Sequence, residues 1–219
     1  MSPSRLSAEQ DKLFAGLNPS LRVLASRGVL RNYRKNTVIL TEGEEGDSMF
    51  VLLDGRVKVF ANDEHGRELT FGVIEAGDYF GEMSLDGGPR SASVMTLEPC
   101  VCSVVSREAV RDHLAEEPEF ALELVAQVIR RARAATQTAR QMALLDVYGR
   151  VIHVLESQSG PASADNPVEL RQITHQSLAN RVGASREMVS RLLKDLEKGG
   201  YIELGVKRIT LRKKLPARW

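Results

Sequence analysis

The chain has 219 residues, 42% hydrophobic and 27% charged, with 30 Lys/Arg against 29 Asp/Glu. That length allows one large domain or two small ones, and the composition is that of a globular chain rather than a disordered one. No apolar run approaches the ~20 residues of a membrane span. The N-terminal MSPSRLSAEQDK carries no apolar leader, and two cysteines are too few for a disulfide framework. A cytoplasmic location without a membrane partner is expected. The near-neutral charge hides a split. Arg171–Trp219 contain 12 Lys/Arg and 4 Asp/Glu, and the remainder 18 and 25. A basic segment on an acidic body points either to polyanion binding joined to a second function or to a solubilising charged surface.

Residues 7–30 are expected to hold two short helices. Ser7 and Gln10 fit a capping box, Leu13, Phe14 and Leu17 share a face, and Asn18-Pro19-Ser20 divides the pair. From Arg31 to about Ser106 short β-branched and aromatic runs recur: TVIL, MFVLLDG, RVKVF, ELTFGVI, ASVMTL and CVCSVV. Glycine turns separate them, which argues for an antiparallel barrel or jelly roll. Val57 and Val59 alternate with Lys58, a half-buried strand. Cys100 and Cys102 point to one face of their strand and are expected in the core.

Residues 107–145 contain no glycine. Leu122, Val125, Ile129, Ala132, Thr136, Ala139 and Ala143 recur in steps of three and four, a heptad seam. Its length favours a homodimer over a helix packed on its own domain, and its small later members let two helices approach closely. Val147–Ser157 reads as a further helix, and SQSGPASADNP (157–167) as a loop.

Thr174–Arg181 then gives a short helix, Val182-Gly183-Ala184 a tight turn, and Arg186–Lys198 a second helix that Ser185 can cap, with Glu187 near its positive end. Val189, Leu192, Leu193 and Leu196 form its apolar stripe, and Arg186, Glu187, Ser190, Arg191 and Lys194 lie off it. This is the arithmetic of a helix–turn–helix presenting arginines, whose guanidinium suits guanine as Glu suits cytosine. Gly199-Gly200 ends the helix. The β-rich finish, YIEL and GVKRITL, reads as a wing whose Lys207 and Arg208 would reach phosphates. The alternative is a helical hairpin with a solvated charged face.

Residues 80–94 read FGEMSLDGGPRSASV. Gly81 allows close backbone approach, and Glu82 is a fixed acceptor beside Met83. Arg90 can hold a phosphate in bidentate fashion, and Ser91 adds a donor. A carboxylate for sugar hydroxyls beside an arginine for phosphate is nucleotide-binding chemistry; a surface ion pair at a barrel edge is the simpler reading.

FGEMSL…PRSASV resembles the phosphate-binding cassette of cyclic-nucleotide-binding domains. Together with LLDVYGR (144–150) and ASREMVSRLLKDLEKGGYI (184–202), it is similar to the Crp/Fnr superfamily of bacterial transcription regulators, nearest the catabolite activator branch. The resemblance covers nearly the whole chain. It implies an α+β fold: a β-roll with N-terminal helices (1–117), a dimerisation helix (118–145) and a winged helix–turn–helix (146–219). It further implies that Gly81 and Glu82 hold the ribose, and Arg90 and Ser91 the cyclic phosphate. Arg186, Glu187 and Arg191 would read bases in a pseudo-palindromic double-stranded operator, while Thr174, Gln176 and Ser185 hold the DNA backbone. The loop at 157–167 sits where relatives touch RNA polymerase. The Thr-Ser pair that contacts adenine in cAMP-activated relatives falls here on Ala135 and Thr136. The expected effector is therefore cAMP first and cyclic di-GMP second. An active form without nucleotide is a further alternative, and a regulatory subunit of an enzyme is the alternative of a different class. No cysteine precedes Cys100, so no iron–sulfur cluster is expected, and His65 and His113 are expected at the surface rather than on a haem. The chain shows no nucleophile–base pair, no His/Cys metal cluster and no Walker loop, so no catalytic residue, no metal and no enzyme activity are expected.

Overall fold

A computed structural model describes residues 12–158 and 167–216. The Ser7–Gln10 capping box and most of the 157–167 loop lie outside these residues. The chain divides into two compact units, residues 1–61 with 71–132 and residues 62–70 with 133–219.

Among the described residues, α1 (Pro19–Ser26) precedes eight strands, which lie in the first unit except for residues 62 and 68–70: β1 (Val29–Tyr33), β2 (Val38–Leu40), β3 (Ser48–Asp54), β4 (Arg56–Asn62), β5 (Glu68–Glu75), β6 (Tyr79–Phe80), β7 (Ser93–Thr96) and β8 (Cys100–Ser106). They form two four-stranded sheets, in the orders β1-β8-β3-β6 and β2-β7-β4-β5. β3 is the clearest case of sequence setting position. Met49 to Leu53 are all buried, so both its faces are covered. Met49, Val51 and Leu53 pack with Phe14, Leu21 and Leu24 on the helical side. The alternate residues Phe50 and Leu52 pack with Val57, Phe80 and Val94 between the sheets. Cys100 and Cys102 belong to this second cluster, and burial pushes the Cys102 thiol up to about 12.

Two expectations need correcting. The second N-terminal helix ends at Ser26, not near residue 30, and β1 begins at Val29. Asn18 caps that helix, accepting from the Leu21 amide, and Pro19 occupies its first turn. At Gly28 a Cβ would lie 2.2 Å from Ser103 Oγ and 2.8 Å from the Val104 carbonyl. Only glycine lets the chain leave the helix and pair at once with β8. His113, expected at the surface, is fully buried. It lies on α2 (Arg107–Glu116) with its ring 5.0 Å from that of Phe120 and Nε2 3.4 Å from Ser20 Oγ. Burial, then Arg27, lower its pKa, which favours the neutral imidazole that the core requires.

α3 (Pro118–Leu144) is a single helix of 27 residues with Phe120 as its buried residue. Leu122, Val125, Ile129, Ala132, Thr136, Ala139 and Ala143 are all exposed on it.

The second unit contains α4 (Val147–Ser157), β9 (Val168–Arg171), α5 (His175–Val182), α6 (Arg186–Lys198), β10 (Ile202–Gly205) and β11 (Arg208–Leu211). Leu155, Leu178, Leu193, Leu196 and Ile209 form its core. The sheet order is β10-β11-β9. β9 is absent from the sequence reading. Its VELR is too short to show a period, and pairing with β11, Leu170 opposite Ile209, makes it a strand. Among the described residues, no helix is long and apolar enough to cross a membrane.

Candidate functional site

The cassette is built on the end of β6 and a 3-10 turn, Glu82–Ser84. Gly81 precedes the turn at φ +84°, a conformation that favours glycine. A Cβ there would also lie 2.9 Å from Arg90 Nη1 and 3.1 Å from the Ser48 carbonyl. Backbone hydrogen bonds from the Arg90 amide to the Glu44 carbonyl and from the Gly43 amide to the Arg90 carbonyl fasten the Pro89-Arg90-Ser91 segment to the β2–β3 loop.

Arg90 is only 6% exposed. Its Nη1 donates to the Ser48 carbonyl at 2.9 Å, the Gly81 carbonyl at 2.8 Å and Ser84 Oγ at 2.6 Å. The remaining edge, Nε and Nη2, faces Gly46, where a Cβ would come within 2.4 Å of both nitrogens. Nothing in the sequence singles out Gly46, yet its bare backbone packs directly against this edge, where no side chain would fit and which makes no hydrogen bond among the described residues. Burial lowers the Arg90 pKa, Asp47 and Glu82 oppose that shift, and Arg107 adds to it. Two parallel N–H groups on a desolvated cation are the fork that binds a phosphate bidentately. Ser91 is exposed, its hydroxyl 3.4 Å from the Met83 sulfur, and Met83 is itself exposed.

Glu82 is 5% exposed, and neither carboxylate oxygen has a hydrogen-bond partner among the described residues. Its counter-charge is Arg131 of α3, with Nη1 2.6 Å from Oε2. Arg131 also donates to the Tyr79 carbonyl at 2.6 Å and lies over the Tyr79 ring at 5.6 Å. Charge neutralised but lone pairs unused is a poor end state for a buried carboxylate. It is a good one for accepting hydroxyl protons from a sugar. Glu82 Oε1, which has no partner among the described residues, and the unbonded edge of Arg90 are the groups a sugar hydroxyl and a phosphate would use.

Arg131 is the residue that sequence reasoning missed, since on α3 it looks like one of several solvated arginines. Its signal was position, four residues before Ala135 and thus on the same helix face. Arg131→Gln is expected to destabilise this unit by roughly 2 kcal/mol in urea unfolding. That is less than the ~3–5 kcal/mol for breaking a fully buried pair, because Arg131 keeps 26% of its side chain in water. Unchanged stability would mean that Glu82 tolerates burial without it. Ala135 and Thr136 are both exposed.

In the second unit Thr174 caps α5 in a reciprocal capping box with Ser177, and Gln176 donates to Asn180 at 2.7 Å. Gly183 ends the helix at φ +61°, a left-handed position suited to glycine. Ser185 caps α6 by accepting from the Met188 amide. Val189, Leu193 and Leu196 bury one face of α6. Arg186, Glu187, Arg191 and Lys194 stand exposed on it, and their side chains make no ion pair or hydrogen bond among the described residues. Ser190 is engaged instead, 2.8 Å from His175 Nδ1. The wing is a two-residue hairpin, Val206-Lys207, with Lys207 at φ +51° and Val206 almost fully exposed. Arg208 is partly drawn back onto β9, 3.5 Å from Glu169. Two elements thus present Arg186, Arg191, Lys194 and Lys207 outward, the charge pattern of a DNA-binding winged helix.

Comparison with known proteins matches the regions that carry the two sites. Residues 30–117 match the cyclic nucleotide-binding domain, and residues 149–215 match the Crp-like helix-turn-helix domain. The chain is 31% identical, over 83% of its length and 88% of the relative's, to the cAMP-activated global transcriptional regulator CRP of Pasteurella multocida. It is 29% identical, over 91% of both chains, to a CRP-like cAMP-activated global transcriptional regulator of Mycobacterium tuberculosis. The solved structure of the c-di-GMP responsive global regulator CLP of Xanthomonas campestris aligns at TM-score 0.77 and 25% identity, covering 88% of this chain and 97% of that one. A nucleotide-binding β-roll, a long helix and a winged helix–turn–helix in one chain, matched along most of their length by such relatives, place the protein in the Crp/Fnr family of DNA-binding transcription regulators, which are not enzymes.

Proposed function

We propose that the protein is a cytoplasmic, homodimeric regulator whose DNA affinity is set by a cyclic nucleotide, with cAMP as the first choice of effector. The observation that carries this is the pairing of a buried carboxylate with unused lone pairs on Oε1, Glu82, and a buried arginine whose Nε–Nη2 edge makes no hydrogen bond among the described residues, Arg90. Glu82 and Gly81 hold the ribose hydroxyl, and Arg90 and Ser91 hold the cyclic phosphate. Ala135 and Thr136 face the base, where one hydroxyl fewer weakens adenine selectivity. The cAMP-activated relatives support this choice. The likeness to a c-di-GMP responsive regulator supports cyclic di-GMP as the second. Isothermal titration with cAMP, cGMP and cyclic di-GMP tests the reading. If none of the three binds while operator DNA is still shifted at nanomolar protein, gating by nucleotide fails and only DNA binding stands.

The organisation proposed is a β-roll to residue 117, a dimerisation helix over 118–145 and a DNA-binding domain from 146. Two-fold symmetry then demands a pseudo-palindromic operator with half-sites about one helical turn apart. Arg186, Glu187, Arg191 and Lys194 enter the major groove, while Thr174, Gln176, Ser185, Lys207 and Arg208 hold phosphates. Loop 157–167 is proposed as the contact with RNA polymerase. Arg186→Ala is expected to cost about 1–3 kcal/mol on the operator and to relax specificity at one base pair. Binding isotherms on the operator and on single-base variants measure it. An equal loss on every sequence would reassign Arg186 to phosphate.

A further inference from the structure

His175 belongs to none of the roles assigned above. It opens α5 directly after the Thr174 cap, and its Nδ1 meets Ser190 Oγ of α6 at 2.8 Å. Its Nε2 makes no hydrogen bond among the described residues. The charged groups acting on it are Arg186 and Lys194, both on α6, and no carboxylate is paired with it. This imidazole therefore lies between two helices of a DNA-binding unit, bonded to Ser190 of α6 and flanked by two cations of the face that the proposed function turns toward DNA.

We propose that His175 is a positioning residue that takes up a proton when DNA binds, holds a backbone phosphate through Nε2 and orients Ser190 toward the DNA. The chemistry follows from the ring's two nitrogens. Neutral imidazole has one donor and one acceptor, so Nδ1 can accept the Ser190 hydroxyl proton. Once the ring takes a proton from solvent, both nitrogens donate. Nδ1–H then points at Ser190 Oγ, whose own proton is freed to be donated outward, and Nε2–H is available to a phosphate oxygen.

The electrostatics run the same way. In the free protein, burial first, then Arg186 and then Lys194, lower the His175 pKa below its ordinary 6.5. DNA phosphates neutralise those two cations and supply an anion, so the pKa rises in the complex. The bound state therefore holds more protons than the free state between the two pKa values. Affinity must rise as pH falls through that window and level off on either side of it.

The test uses the full chain and a duplex selected with it from a random-sequence pool, with anisotropy isotherms from pH 5 to 8 at constant ionic strength. Wild type is expected to lose up to about tenfold in affinity per pH unit for each bound protomer across the window. His175→Gln, whose amide can still bond Ser190 but cannot titrate, is expected to be flat. At the acidic end, the salt dependence of wild type should be steeper than that of His175→Gln by about 0.9 per protomer, the signature of one more phosphate contact. A flat wild-type profile, an equal pH slope in His175→Gln, or equal salt slopes would each overturn the proposal. Should His175→Gln fold poorly, NMR titration of the wild-type ring decides the matter. A His175 pKa that rises on adding duplex supports the proposal, and one that stays put overturns it.

Discussion

Isothermal titration of Arg90→Leu is expected to show no cAMP binding at concentrations that saturate wild type. A cyclic phosphate keeps one negative charge at neutral pH, and the fork that would take it, Nε and Nη2, is the one edge of Arg90 not already bonded to protein. Removing one member of a buried, hydrogen-bonded charge pair commonly costs about 3–5 kcal/mol, roughly a 10²–10⁴-fold loss of affinity. The same substitution strips the donor from the Ser48 and Gly81 carbonyls and from Ser84 Oγ, so thermal unfolding of the β-roll should fall as well. Arg90→Lys separates the two effects. An ammonium can still reach a carbonyl and restore part of the stability, but it cannot chelate phosphate through two parallel N–H groups. Wild-type affinity in Arg90→Leu would move the phosphate elsewhere.

Arg90 also marks how far the sequence could be read. Glu82, Arg90 and the glycine between β6 and the 3-10 turn were visible because the cassette is contiguous, within fifteen letters of chain. Gly46 and Arg131 were not. They reach the same place from another loop and from α3, and nothing local distinguishes either from its neighbours. The same contrast holds for the fold. TVIL, RVKVF and CVCSVV announce strands through composition, and α3 announces itself through its period. Val29 and Leu30, the first residues of β1, fall in the stretch expected to be helical, and the ladder with β8 is what makes them strand. By sequence His113 reads as surface because Glu116 and Glu117 stand one turn beyond it. Phe120, seven residues on, closes the core over it. Spacing places Ser190 off the apolar stripe of α6, but its bond to His175 depends on how two helices cross, which spacing within one helix cannot reveal.

Ile129→Glu should convert the protein to monomers in light scattering and weaken operator binding by roughly 10²–10⁴-fold, the gain that tethering two half-site modules provides. Ile129 is 45% exposed and Leu122 65% on a helix whose chemistry is apolar along the whole stripe. Single exposed apolar residues need no explanation, but a continuous row does. Val125 and the small residues Ala132, Ala139 and Ala143 continue it. A second copy of α3 covers that row in the proposed dimer, and glutamates at 129 would then face each other across the seam with no cation supplied by the stripe itself. Thr136 lies on the same seam next to Ala135, so a ligand near these residues would bear on the partner helix. Its effect on DNA would come from unequal affinity for two arrangements of the helix pair. A dimer that survives Ile129→Glu would place the interface on another face.

The pairing of β1 with β8, Val29 opposite Val104 and Tyr33 opposite Cys100, also has a bearing on biosynthesis. About 70 residues separate the partners, and at roughly 5–20 residues per second the ribosome needs several seconds to deliver the second after the first. Throughout that interval the ladder groups of β1 have only water or a wrong strand to bond with. The β-roll thus closes late and as a whole, because loop closure must precede the contacts that reward it. The winged helix–turn–helix, whose α5 and α6 adjoin in sequence and whose wing is a two-residue hairpin, can assemble as soon as its own letters emerge. A nascent chain therefore spends its most vulnerable period with the effector domain open, before the segment that will read DNA has been translated.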